Sequence, residues 1–331
     1  MIGDGGVMGI EIIGTGIDLG HVAIENDLIE SLAGLEPGWI LEKTGIRRRF
    51  AVDENQNARH LAANALNGAL AQAKVELSEL DQLVVATYAH DKVFPSLASR
   101  LLTPLAYSKT QTLDIQSNCT GFLNGIAVVH DRLLVDAHAS VGAVVASEVN
   151  SRFVDKTDPN VSSFFSDGAG AAILRTTDRD AGILSRSFFG DTNNIETVEL
   201  ARIPNEDGKT TENSPASTIR QAGMGTWKQA VTNLPKAINS ALGKANLGLQ
   251  DVDYFVFHQA NVKLLEYLLA KMKIKSDRAI INVNDIGNMG AASIPIALHQ
   301  ARVDSKISNG DLVMFASVGA GFNFSALLWR I

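Results

Sequence analysis

Three polar residues of this chain share one local setting. Cys119, His258 and Asn288 each follow a run of strand character and stand at the start of a run with helical spacing. Cys119 is the single cysteine of 331 residues. It lies in the stretch 113–122 (LDIQSNCTGF), after which apolar residues recur at Phe122, Ile126, Val129 and Leu133, a helical period. A thiolate at such a junction faces unpaired backbone N–H groups and the positive end of a helix dipole, and both are expected to lower its pKa. Gly121 is expected to let the backbone pass close to whatever reacts at the sulfur. Taken singly, each residue has a plainer reading. A lone cysteine is most often a buried, inert side chain. A histidine delivered by a buried strand, here YFVF at 254–257, is most often a satisfied core residue, and Asn288 between Gly287 and Gly290 reads as a turn. Together the three describe acyl transfer. The thiolate takes the acyl group, the histidine and asparagine donate hydrogen bonds to a developing enolate oxygen, and Gly319-Ala320-Gly321 offers backbone N–H groups for an oxyanion hole.

Composition removes several alternatives. The chain is 46% hydrophobic and 20% charged with a net charge of -7, so a large core is available and a general nucleic-acid binder is not indicated. One cysteine rules out a disulfide framework and a cysteine-based zinc site. The start, MIGDG, lacks the charged region and apolar core of a signal peptide. No apolar stretch reaches the roughly 18 residues of a membrane span. The expectation is a cytoplasmic protein without a membrane partner.

The elements that position the three residues alternate between strand and helix. Strands are expected at 9–16, 83–87, 141–147, 252–257, 280–283, 312–316 and 325–331; helices at 26–32, 57–73, 225–242, 262–273 and 291–301. Phe94-Pro95-Ser96 opens another helix, with Pro95 near its first turn. Residues 167–174 (DGAGAAIL) read as a glycine turn entering a strand, without the spacing of a nucleotide loop. Residues 190–218 read as a polar surface excursion. Arg47-Arg48-Arg49 is either a phosphate-binding patch or a solvated loop. The pattern implies an α/β fold with largely parallel sheets and functional residues just past strand ends. Two halves, 1–178 with the cysteine and 179–331 with the histidine and asparagine, have similar length and element order, as after an internal duplication.

With these residues in place, the sequence resembles the β-ketoacyl-acyl carrier protein synthase III family of the thiolase superfamily. The resemblance runs nearly the whole chain: Gly38-Trp39-Ile40 with 43–47 (KTGIR), 94–96 (FPS), 118–122 (NCTGF), 167–171 (DGAGA), 258–261 (HQAN), 287–293 (GNMGAAS) and 319–322 (GAGF). It implies a five-layered αβαβα fold of two thiolase-like halves, in a homodimer. It also implies a two-stage reaction. Cys119 takes an acyl group from an acyl-CoA or acyl-carrier protein; malonyl-acyl carrier protein then loses CO2 in a Claisen condensation. His258 and Asn288 would bind the enolate oxygen, and the N–H groups of Cys119 and Ala320 the tetrahedral oxyanion. No metal or redox cofactor is implied. The His–Asn pair separates this family from elongating synthases with two histidines, and the single cysteine from degradative thiolases.

By the same resemblance Trp39, Lys43, Phe94 and Gly321 contact substrate, Phe94 by reaching the partner's acyl pocket, and Lys228 and Lys263 face the carrier protein. Two positions depart from the pattern. Family members that grip CoA commonly carry arginines where this chain has Lys43 and Pro159. Lysine lacks the bidentate fork and proline lacks both charge and stacking surface, so free CoA thioesters are expected to be held weakly. The alternative readings are a specialised-metabolism acyltransferase or ketosynthase with a different acceptor or extender, and a non-catalytic subunit of a heterodimer, against which the intact Cys119 argues.

Overall fold

The computed structural model describes residues 9–193, 195–200 and 218–331. In chain order the strands are β1 (Gly9–Leu19), β2 (Val22–Glu25), β3 (Arg48–Ala51), β4 (Gln82–Ala86), β5 (Gln111–Ile115), β6 (Val141–Glu148), β7 (Gly168–Thr177), β8 (Gly182–Gly190), β9 (Val198–Leu200), β10 (Ile219–Gln221), β11 (Tyr254–Phe257), β12 (Ala279–Ile280), β13 (Leu312–Gly319) and β14 (Asn323–Arg330). The helices are α1 (Asn26–Ala33), α2 (Trp39–Thr44), α3 (Ala58–Ala73), α4 (Leu97–Leu101), α5 (Gly121–Val135), α6 (Pro159–Ser162), α7 (Gly223–Lys244), α8 (Val262–Met272), α9 (Val283–Ile286) and α10 (Ser293–Val303).

Two five-stranded sheets carry the fold, in the orders β1-β7-β6-β4-β5 and β8-β14-β13-β11-β12. The orders are the same once each half is counted from its own first long strand, so the duplication suggested by element order is present in the topology. Each sheet draws its strands from one half of the chain. The sheets are mixed rather than largely parallel. β4 runs parallel to β5 and β6, and β11 to β12 and β13, whereas β1, β7, β8 and β14 pair antiparallel. A strand buried on both faces reads as a continuous apolar run in either direction, so its direction is not legible from composition.

Side-chain alternation sorts the strands between layers. Val84 and Ala86 of β4 face a central cluster with Phe122, Ile126 and Val129 of α5 and Ile294 and Leu298 of α10. Leu83 and Val85 face outward to α3 and α4. In the second sheet Val313 and Phe315 turn to the central cluster, and Leu312, Met314 and Ala316 to α7 and α8. The result is α3/α4, sheet, α5/α10, sheet, α7/α8: five layers, with α5 and α10 buried between the sheets.

Local chemistry sets the helix ends. Asn57 caps α3, its side chain accepting from the N–H groups of Arg59 and His60 at 3.0 and 3.1 Å. Asn261 caps α8 through Leu264 N–H at 2.8 Å. Ser96, not Pro95, caps α4, and Asp114 of β5 accepts from Leu97 and Ala98 N–H at 2.6 and 2.8 Å. The strand expected at 280–283 stops at Ile280, and Val283 opens α9. Gln259 Oε1 accepts from Asn282 and Val283 N–H at 3.0 and 3.3 Å, which diverts those groups from a ladder. The glycine stretch expected as a turn is strand β7 itself, preceded by the fully buried Asp167. Within the expected surface excursion, β9 and β10 pair as antiparallel strands, while residues 194 and 201–217 lie outside the described residues. Among the described residues no helix is long and apolar enough to cross a membrane.

Candidate active site

The three chemically suggestive residues converge where the halves meet. β5 ends at Ile115, and Cys119 lies in a tight turn, Asn118–Thr120, that runs directly into α5. The turn is held by Thr120 Oγ1 donating to the Ser117 carbonyl at 2.7 Å and by Asn124 Nδ2 donating to Ser117 Oγ at 2.6 Å. Gly121 serves packing rather than access: a Cβ there would stand 2.9 Å from the Ala86 methyl, so the glycine lets α5 settle on β4. His258 follows β11, its N–H donating to the Ala316 carbonyl at 2.8 Å. Gln259 beside it is fully buried and fully used. Besides its two acceptor bonds, Nε2 donates to the carbonyls of Phe257 and Ile280 at 2.9 and 3.0 Å.

Asn288 is clamped by its backbone. Its N–H donates to the Phe164 carbonyl at 2.8 Å, and its carbonyl accepts from Ser166 N–H at 2.9 Å. Its Oδ1 accepts from Gly290 N–H at 2.9 Å. That bond fixes which end of the amide is which, and leaves the Nδ2 donor for a ligand.

Two cavities meet at Cys119. One of about 460 Å³ takes in Cys119, His258, Asn288, Lys43, Trp227 and Asn261. The other, about 470 Å³, takes in Cys119, Tyr88, His90, Gln116, Ile219 and Gly321. Cys119 and Ala320 line both.

The electrostatics reverse one expectation. Cys119 keeps partial surface where it lines the cavities, but protein packs around the sulfur, and burial pushes the thiol up to about 12. The neighbouring Glu148, when ionised, acts in the same sense, and burial holds its own carboxyl well above the usual carboxylate range. A backbone hydrogen bond at Cys119 itself opposes this, but desolvation dominates. Burial also pushes His258 down to about 4, against a weaker opposing effect of the Gly290 backbone. At neutral pH the resting pair is therefore a thiol and a neutral imidazole.

The comparisons with known proteins decide the family. The family model for 3-oxoacyl-[acyl-carrier-protein (ACP)] synthase III matches residues 113–192, and that for its C-terminal part matches residues 242–331. The β-ketoacyl-[acyl-carrier-protein] synthase III of Ehrlichia ruminantium (strain Welgevonden) is 32% identical over 321 residues, 97% of this chain and 98% of the relative. The chain belongs to the synthase III family. It is thereby a condensing enzyme of the acyltransferase class. The synthase III of Rhodospirillum centenum is also 32% identical, over 96% of this chain and 98% of that one. The crystal structure of 3-oxoacyl-[acyl-carrier-protein] synthase III from Aquifex aeolicus VF5 superposes with a TM-score of 0.89 at 29% identity, covering 98% of this chain and all of that one. The five layers are thus the thiolase-type fold of this family.

The remaining family positions are placed unevenly. Lys43 lines the first cavity, with its ammonium 2.6 Å from Glu42. Gly321 lines the second. Trp39 begins α2, half-buried, and is not among the residues lining either cavity. Phe94 lies on neither and is 83% exposed. Lys228 and Lys263 are exposed beside cavity-lining Trp227 and Leu264, Lys263 lying 3.5 Å from Glu266. Pro159 opens α6, and its neighbour Asn160 lines the first cavity. The arginine triplet is divided between settings, with Arg47 and Arg48 exposed and Arg48 and Arg49 on β3. Arg47 pairs with Asp285 at 2.5 Å, and Arg49 is buried, donating to Asn26 Oδ1 at 2.6 Å.

Sequence reasoning missed Asn118, Ser317 and Glu148. Ser317 Oγ donates to the Cys119 carbonyl at 2.7 Å, and Asn118 Nδ2 to the Ala320 carbonyl at 3.1 Å. A signal existed for two of them. Ser317 has the parity of the inward-facing Val313 and Phe315, and Glu148 ends an otherwise apolar strand.

A thiol held this high makes a direct prediction for the free enzyme. Alkylation of Cys119 by iodoacetamide should accelerate about tenfold per pH unit from pH 6 to 9, following the thiolate fraction. A rate already on a plateau at pH 6–7 would show a preformed thiolate and contradict the burial argument.

Proposed function

We propose that this chain makes a β-ketoacyl thioester in two half-reactions that share Cys119. The observation that carries the reading is the meeting of one nucleophile, a neutral imidazole, an oriented amide donor and two cavities at a single sulfur. Cys119 Sγ attacks the carbonyl of an acyl thioester in the first cavity. The S–C bond forms, the oxyanion rests on the N–H groups of Cys119 and Ala320, and collapse releases the donor thiol, which carries away the proton the cysteine loses. The exchange needs no permanent base. The acyl chain lies in the second cavity.

A malonyl thioester follows into the first cavity. Its C–CO2 bond breaks and the electron pair moves to the thioester oxygen as an enolate, held by His258 and Asn288 Nδ2. The enolate carbon then attacks the acyl-cysteine carbonyl, and collapse expels the Cys119 thiolate, which takes a proton. Donors without charge suit this step. A cationic partner would also bind the malonyl carboxylate and hold back its loss, whereas a neutral imidazole favours the enolate selectively. The steps balance without a metal or redox cofactor.

In this reading the roles are divided between the half-reactions. His258→Ala and Asn288→Ala should each slow condensation on the order of 10²–10³ while Cys119 still becomes acylated in a single turnover. Loss of acylation in both folded variants would contradict the assignment.

The donor follows from Lys43. Its ammonium is engaged by Glu42 and it lacks a bidentate fork. Together with Pro159 this favours a donor held on carrier protein, or one gripped mainly by its acyl chain. One acyl group presented on CoA and on carrier protein should acylate Cys119 faster from the carrier; equal efficiency of acetyl-CoA with the best carrier-bound donor would overturn this. Lys228 and Lys263, beside the first cavity, are placed to meet an acidic carrier.

The working unit in this proposal is a homodimer. β5 is an edge strand with Leu113 partly exposed, and Val93, Phe94 and Tyr107 are 82%, 83% and 86% exposed nearby in sequence. Light scattering at micromolar concentration should give twice the chain mass; an active monomer would refute it.

A further inference from the structure

The oxyanion donors sit on opposite sides of a seam. Cys119 N–H belongs to the turn before α5 in the first half, and Ala320 N–H to the loop after β13 in the second. Two N–H groups from different halves can bind one oxygen only if the halves are held in fixed register there. General packing of two large sheets does not by itself supply register at the level of a hydrogen bond.

Two side chains do supply it, in opposite directions. Ser317, fully buried on β13, donates its hydroxyl to the Cys119 carbonyl at 2.7 Å. Asn118, the residue before the nucleophile, donates Nδ2 to the Ala320 carbonyl at 3.1 Å. Asn118 also holds a left-handed backbone at φ 47, a conformation asparagine tolerates better than most residues. Its peptide group carries the Cys119 N–H. Between the two bonds, the backbones come close: a Cβ on Gly319 would stand 3.1 Å from the Ser117 carbonyl oxygen and 3.4 Å from Cys119 N, so a larger residue there would require the two segments to give way slightly.

We propose that Asn118 and Ser317 are positioning residues that lock the oxyanion hole across the seam between the two halves, each anchoring the carbonyl of the residue whose N–H is a donor. The proposal rests on the assignment of Cys119 and Ala320 N–H as those donors. Ser317 lines neither cavity, whereas Asn118 lines the second beside Cys119, with its Nδ2 turned to the Ala320 carbonyl. The bonds leave the sulfur and the His258–Asn288 pair where they are. They act on both tetrahedral intermediates and not on decarboxylation or on the intrinsic nucleophilicity of the thiol.

The experiment compares Asn118→Gly, which keeps the left-handed backbone accessible and deletes the donor, Ser317→Ala, and Ala320→Pro, which deletes the N–H itself. Each folded variant is assayed for single-turnover acylation of Cys119 and for alkylation of Cys119 by iodoacetamide, a displacement with no tetrahedral oxyanion. Asn118→Gly and Ser317→Ala are expected to slow acylation about ten- to a hundredfold, less than outright donor loss, with alkylation within about twofold of wild type by the same argument. Alkylation falling in proportion to acylation would reduce both residues to structural support of the cysteine and overturn the proposal. Acylation unchanged in these two but lost in Ala320→Pro would overturn the proposal while leaving the donor assignment standing. Acylation unchanged in all three would remove the donor assignment itself and the proposal with it.

Discussion

Burial of a single thiol at the seam between two repeats governs the rest of the site. Protein packs around the Cys119 sulfur and leaves it surface only where it lines the two cavities, and burial raises the thiol as it lowers the imidazole. Both groups are thus neutral at rest. The site stores no charge that a substrate must first displace, and its hydrogen-bond donors meet negative charge only when the reaction creates it. A low-dielectric setting makes each such donor stronger than it would be in water.

The matching strand orders of the two sheets bring elements of both halves to one centre. In the proposed reaction the chemistry is divided between them: nucleophile from one half, enolate donors from the other, and one oxyanion donor from each. α5 and α10, buried between the sheets, begin close to Cys119 and Asn288 and are fixed by the same central cluster. A change in that cluster reaches both catalytic halves at once.

Much of this was legible in the sequence. Cys119 and His258 follow strands as expected, while α9 stands between β12 and Asn288; side-chain type together with spacing was enough to group the three. Strand direction was not legible, because Val141–Glu148 and Gly168–Thr177 are apolar on both faces whichever way they run. The short extent of β12 was hidden because it depends on Gln259, a residue more than 20 positions away, reaching across to the Asn282 and Val283 amides. The thiol's pKa was misjudged for a related reason. The helix end is a local feature that the sequence shows, but desolvation comes from segments such as Ser317 on β13, 198 positions distant. Trp39 and Phe94 matched family motifs, yet neither is among the described residues that line the two cavities at Cys119. Partners in a second subunit or a bound substrate are not written in the periodicity of one chain.

The central claim is that Cys119 carries the acyl group between two separable half-reactions. Peptide-level mass spectrometry of enzyme incubated with an acyl thioester, then chased with malonyl-carrier protein, tests it most directly. The account predicts an acyl adduct on the peptide containing Cys119 that persists without malonyl and disappears on the chase, with one β-ketoacyl product formed per adduct lost. An adduct mapped to any other residue, or product formed at full rate with no acyl-enzyme at any time, would contradict it.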